Sequence, residues 1–158
     1  MKIRLDFVTN SSSSSFMVGF KDENSIEENL KKEPRLYRNL YRVLRDIKEN
    51  KVTKEEALHI FRDEIEWDAR QQVREEVIKE KELLNWLNFY QWYKNRDNAE
   101  EFESKVKNLV DEWFEEFKEK IDGYGYLAVV EYDDHNDDDL EYYVMPSLKC
   151  TIERFSHH

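Results

Sequence analysis

Apolar residues recur at three- and four-residue steps through Phe102, Val106, Leu109, Val110, Trp113, Phe114, Phe117 and Ile121, with Glu and Lys filling the opposite side. That period predicts one long amphipathic helix. Asp97 and Asn98 both suit its N-cap, and each has a glutamate three residues on, Glu100 or Glu101, so a capping box exists in either register. Asp122, Gly123 and Gly125 end the helix. The period then falls towards two in Tyr124, Tyr126, Ala128, Val130 and Tyr132, which predicts a strand. A helix that leads straight into a strand implies a helix packed on a sheet.

The amino-terminal pattern is also one of strands. Ile3, Leu5 and Phe7 alternate with Lys2, Arg4 and Asp6, as in a half-buried strand, and the apolar run 16–20 reads as a second. Thr9, Asn10 and the serines 11–15 are expected to link the two as a hairpin loop. Asn24 or Ser25 caps a short helix that Pro34 stops. A helix over 35–50 follows. Leu36, Leu40, Val43, Leu44 and Ile47 form its apolar stripe, Arg35, Arg38, Arg42 and Arg45 a nearly opposite one, and Tyr37 and Tyr41 flank the boundary.

Thr53 and Glu56 form a capping box that opens a helix running past residue 80 along Leu58, Phe61, Ile65, Ala69, Val73 and Val77, a stripe that continues to Leu84 and Leu87. Either one bent helix or two with a break near residues 79–82 fits, and two is preferred. Residues 83–93 carry Trp86, Leu87, Phe89, Tyr90, Trp92 and Tyr93 all round the helix, which implies burial on every side or an exposed aromatic patch. Core is the plainer reading. Residues 140–145 are expected to form a strand ended by Pro146, and Leu148, Cys150, Ile152 and Phe155 suggest another.

The serine run carries a resemblance. Phe7-Val8-Thr9-Asn10-Ser11-Ser12-Ser13-Ser14-Ser15-Phe16 resembles an amino-terminal motif shared by otherwise dissimilar, uncharacterised proteins of anaerobic bacteria and their phages and mobile elements. The resemblance covers about a tenth of the chain. It implies a bacterial or phage source and brings no catalytic residue with it. In physical terms the hydroxyls suit anion contact or modification, and the plainer reading is a solvated loop.

Composition changes the picture in two ways. At 158 residues the chain fits a single domain. Its 39% charged and 39% hydrophobic content would point to disorder, were it not for 14% aromatic residues whose large rings supply a core. The formal net charge of −11 opposes unspecific binding to nucleic acid or anionic membrane and favours encounter with a basic partner. A single cysteine, Cys150, no signal-like apolar start and no run of about twenty apolar residues lead to a cytoplasmic expectation without a membrane partner.

Catalytic signatures are weak. The serines lack a Gly-x-Ser-x-Gly context, Cys150 has no recognisable partner, and the three glycines build no phosphate loop. His59 between Glu55 and Asp63 reads as a surface charge cluster. The loop Asp133, Asp134, His135, Asn136, Asp137, Asp138 and Asp139 is rich in possible metal ligands, but an EF-hand from Asp134 would need Gly at Asp139 and Glu at Met145, so a solvated tip is the plainer reading. His157 and His158 are set aside.

These readings converge on one α+β domain over 1–158, with a small, mainly antiparallel sheet from 1–20 and 124–155 and a helical region over 24–121. The expected function is non-enzymatic: an acidic protein-binding or inhibitor protein, without cofactor or metal, imitating nucleic-acid charge towards a protein partner with a basic surface. Its binding residues would be Glu101, Glu112, Glu115, Glu119, Asp133, Asp134, Asp137, Asp138 and Asp139. The alternative is a regulatory nucleic-acid binder using Arg35, Arg38, Arg42, Arg45, Tyr37 and Tyr41.

Overall fold

A computed structural model describes residues 13–133 and 139–157. The first described strand, β1, spans Ser13–Phe20 and is an inner strand of the sheet. Phe16, Met17, Val18 and Phe20 favour extended backbone because their bulky side chains pack well on a pleated surface. Strands β2, Lys51–Val52, β3, Tyr126–Asp133, and β4, Thr151–His157, complete a sheet ordered β2-β3-β1-β4 in which every pairing is antiparallel. Strands from the two ends of the chain therefore meet in one sheet, and the fold is α+β as expected.

The details differ from the expected hairpin. Ser13, Ser14 and Ser15 are strand residues, paired with Asp133, Tyr132 and Glu131. Because β3 and β4 occupy the two edges of β1, the serines are held by ladder hydrogen bonds rather than looped out. The expected strand over residues 2–8 lies outside the described residues. Strand β2 was not foreseen, since two residues between helical patterns carry no alternation to read.

The chain divides into two compact units, one holding the sheet and its neighbours up to Lys54 and from Ile121 on, the other Glu55–Lys120. In the first, alternation places Phe16, Val18 and Phe20 of β1 and Tyr126, Ala128, Val130 and Tyr132 of β3 on one face. Helices α1, Ser25–Lys31, and α2, Leu40–Glu49, cover that face with Ile26, Leu30, Val43 and Ile47. Two tyrosine hydroxyls tie α2 down: Tyr126 donates to the Ile47 carbonyl at 3.2 Å and Tyr132 to Asp46 Oδ2 at 3.2 Å. Met17 and Leu127 face the other side and are equally buried. At the entry to β3 only glycine fits, because a Cβ on Gly125 would collide with the Lys21 carbonyl oxygen.

Two expected elements are corrected here. The helix expected over 35–50 is a 3-10 turn, Pro34–Leu36, followed by α2 from Leu40, since the fixed ring of Pro34 suits a first turn and Leu36 is already buried there. The strand expected over 140–145 is a π-helical turn, Asp139–Val144, followed by a 3-10 turn, Met145–Ser147. Leu140, Val144 and Met145 all enter the core, a spacing that helical turns provide and an alternating strand does not.

The second unit contains α3, Lys54–Glu80, except its first residue, α4, Trp86–Tyr93, and most of α5, Arg96–Asp122. Ala57, Phe61, Ile65, Ala69, Val73 and Val77 line the buried side of α3. Phe61 stacks on Phe117 of α5 with centroids 3.9 Å apart, and Phe89 of α4 meets Phe102 edge-on at 5.5 Å. The cap of α5 is Asn95, whose side chain accepts from the amides of Asp97 at 2.9 Å and Asn98 at 3.4 Å, so Asp97 and Asn98 lie inside the first turn instead of capping it.

The break after α3 falls where expected and has a clear cause. Leu83 N–H donates to the Ile78 carbonyl at 2.9 Å and Glu82 N–H to that of Lys79 at 3.3 Å, the paired bonds of a Schellman ending. Glu82 occupies its left-handed position with φ of 52°. A side chain there is unfavourable by about 1 kcal/mol, partly offset in glycine by greater freedom of the unfolded chain. Replacing Glu82 with Gly is therefore expected to stabilise the protein by up to about 0.5 kcal/mol in urea denaturation. Destabilisation would show that this ending is not strained.

Candidate functional site

On α5, steps of eleven, three and four residues put Glu101, Glu112, Glu115 and Glu119 on one side, opposite Phe102, Val106, Val110 and Phe117. The four are not equivalent. Glu101 is drawn into the protein by Lys105 at 3.3 Å and Lys81 at 3.8 Å. Glu112, Glu115 and Glu119 are exposed. Glu115 has only the exposed Lys118 at 3.6 Å, and among the described residues Glu112 and Glu119 have no ion-pair partner. Asp133 ends β3, and Asp139, exposed, opens the π-helical turn. Both belong to the sheet-containing unit, not to the unit that carries the glutamate row. Asp134, Asp137 and Asp138 lie outside the described residues.

The arginines are spread over two elements. Arg35 belongs to the 3-10 turn and donates to Ser147 Oγ at 3.0 Å. Arg38 precedes α2, is exposed and has no described partner. Arg42 and Arg45 both approach Asp46 of the same helix, at 3.8 and 3.1 Å, and the Arg42 guanidinium also lies 5.7 Å from the centroid of the Tyr132 ring. All four arginines keep exposed surface; Arg38, without a partner among the described residues, lies next in sequence to Tyr37, 87% exposed, and three residues before Tyr41, 80% exposed.

The aromatic stretch is core on one side only. Phe89 is buried against Phe102, and Tyr93 donates to Glu103 Oε1 at 2.8 Å. Arg70 of α3 grips the same carboxylate through two bonds of 2.9 and 2.8 Å, and this holds Glu103 below the usual carboxylate range. Leu84, Trp86, Leu87 and Tyr90, by contrast, are 91, 60, 64 and 56% exposed. Their exposure corrects the continuation of the α3 stripe to Leu84 and Leu87, because the chain turns at Glu82 before reaching them.

One polar cluster escaped the sequence reading altogether. Ser14 and Glu141 are both fully buried. The Ser14 hydroxyl donates to Glu141 Oε1 at 2.8 Å and accepts from Arg154 Nε and Nη2 at 3.2 and 3.1 Å, while Arg154 Nη2 stands 3.9 Å from Glu141 Oε1. The one hydroxyl hydrogen and its lone pairs are thus used in a consistent direction. Glu141 Oε2 has no hydrogen-bond partner among the described residues. The cluster joins β1, β4 and the π-helical turn, and its only signal in the sequence would have been a glutamate within an apolar run. Since Ser14 is closed to solvent, the arrangement serves the fold and does not present a nucleophile.

No family model, curated protein or solved structure matches this chain. Among the described residues, no helix is long and apolar enough to cross a membrane.

Removing one member of a buried ion pair strands the other. Because Arg154 keeps about a third of its side-chain exposure, the cost should lie below that of a fully buried pair. Glu141→Ala is expected to lower stability by about 2–3 kcal/mol in urea denaturation, and Ser14→Ala by about 1–2 kcal/mol. Losses under about 0.5 kcal/mol would remove the cluster from the list of stabilising contacts.

Proposed function

We propose that this chain is a non-enzymatic protein-binding or inhibitor protein whose α5 glutamates meet a basic surface on a protein partner. The observation that carries this reading is the row Glu112, Glu115 and Glu119, fixed on a 27-residue helix, exposed, and with little internal neutralisation. Carboxylates held on a rigid element repeat negative charge along one line, as phosphates do, so a basic groove is a complementary surface. Leu84, Trp86, Leu87 and Tyr90 support the binding class, since exposed aromatic and aliphatic groups of this size act as anchors at interfaces. The resemblance in the serine run is consistent with a bacterial or phage setting for such an inhibitor.

A salt series tests the proposal. Capture from a bacterial lysate should retain a basic protein at low salt and release it as salt rises, and charge reversal of Glu112, Glu115 and Glu119 together should weaken retention at least about tenfold. Loss of retention only on replacing Trp86 and Leu87 would shift the contact to the aromatic group. Unchanged retention in the charge-reversed protein would overturn the acidic-face reading.

A second reading rests on Tyr37, Arg38 and Tyr41. Exposed rings close in sequence to a guanidinium without a partner among the described residues suit base stacking and phosphate contact, which makes regulatory nucleic-acid binding the alternative. It expects binding of single-stranded RNA or DNA at low salt, with a salt slope reduced by about one in Arg38→Ala and affinity lowered in Tyr37→Ala and Tyr41→Ala. Absence of binding at low salt would exclude it.

A further inference from the structure

A cleft of about 420 Å³ opens in the sheet-containing unit, where the end of β1 passes α1 and the residues leading into β4. Its shape follows from the ladder. Gly19 N–H donates to the Cys150 carbonyl at 2.9 Å and Gly125 N–H to the Phe20 carbonyl at 3.0 Å, which fixes both walls relative to β1. Between them Gly19 has no side chain, and a Cβ there would stand 2.7 Å from the ring of Tyr124. Leu30 and Phe20, both almost fully buried, supply an apolar floor beside that ring.

The rim has the opposite character. Lys21, Lys32 and Lys149 all line the cleft of a protein whose acidic residues outnumber its basic ones by 36 to 25. Lys32 is occupied by Glu28 at 2.8 Å. Lys21 and Lys149 are exposed and have no ion-pair partner among the described residues, whereas Lys31, Lys54, Lys81, Lys105 and Lys118 each have a carboxylate. One carboxylate, Glu33, also lines the cleft. Burial pushes the neighbouring Cys150 thiol up to about 12, so it stays neutral at physiological pH and adds no negative charge to the wall. The negative field of the rest of the protein is screened over about 10 Å at moderate salt, leaving the two nearby ammonium groups to act locally.

We propose that this cleft binds a small organic anion, with the apolar body against Phe20, Leu30 and Tyr124 and a phosphate or carboxylate group between Lys21 and Lys149. The volume lies in the range of small-molecule sites, and apolar surface combined with a few charged groups is how such sites join affinity to orientation. This site is independent of the acidic face on α5 and of the Tyr37, Arg38 and Tyr41 group.

Amide shifts of the full chain, followed by NMR during titration with phenyl phosphate and benzoate, test it. Saturable shifts are expected at Gly19, Lys21, Tyr124 and Cys150 with at least one of the two, the better probe identifying phosphate or carboxylate as the favoured group. The Lys21→Glu, Lys149→Glu double variant should bind at least about tenfold more weakly. Should that variant fail to fold, Lys21→Gln with Lys149→Gln gives the same comparison without reversed charge. Equal shifts with benzyl alcohol would overturn the anionic requirement, and equal affinity for inorganic phosphate would overturn the apolar one. No saturation by about 10 mM, or unchanged affinity in both lysine variants, would overturn the site itself.

Discussion

Strand β1 is the constraint on which the sheet-containing unit depends. It is hydrogen-bonded along both edges, to β3 over its full length and to β4 over most of it, and Phe16, Met17 and Val18 have no solvent exposure. A strand buried on both faces and paired on both edges leaves its neighbours few alternative registers, because a slip of one residue would exchange the faces of every side chain. Residues more than a hundred positions apart are brought together as a result: Ser14 with Glu141 and Arg154, and Gly19 with Cys150. The polar cluster and the lysine-rimmed cleft lie towards opposite ends of the same strand. Both exist because β1 fixes where the carboxy-terminal segments run.

The long-range period of apolar residues was the most legible feature of the chain. It located α3 and α5 and the strand after α5, and it identified the break that the Schellman ending explains. Shorter elements were misread where two periods fit few residues. Leu140, Val144 and Met145 occur in an apolar run that alternation describes poorly and a helical turn describes well, and Pro146 is compatible with the end of either. The serines were misread for a different reason. Their local preference for turns is weak, and pairing on both sides of β1 outweighs it.

Charge was less legible than apolar pattern because partners are set by three-dimensional neighbours. Glu101 and Glu112 look alike in sequence, yet one is engaged by two lysines and the other by none among the described residues. Arg42 and Arg45 look like part of an open stripe with Arg38, but Asp46, one turn after Arg42 and directly after Arg45, pairs with both. The cleft had no sequence signal at all. Lys21 and Lys149 are widely separated in the chain, and only the pairing of β1 with β3 and β4 makes them neighbours of one cavity.

The distribution of polar and apolar groups runs against composition in two places, and these have different physical consequences. Buried Glu141 has a serine donor and a nearby guanidinium on one of its oxygens, so its cost is offset in part inside the protein and its effect is to specify how β1, β4 and the π-helical turn fit. Leu84, Trp86, Leu87 and Tyr90 have no such internal compensation, although Arg74 lies over the Trp86 ring at 3.2 Å. A chain with only 39% hydrophobic residues gains stability from every ring it buries, and leaving these exposed forgoes that gain. Helix α4, which carries Trp86, Leu87 and Tyr90, also buries Phe89, so their exposure is a property of one face and not of a misplaced segment. An apolar face kept open in this way recovers its burial free energy only when another surface covers it. That open face is the physical argument for proposing the binding class over a solvated acidic scaffold with no partner.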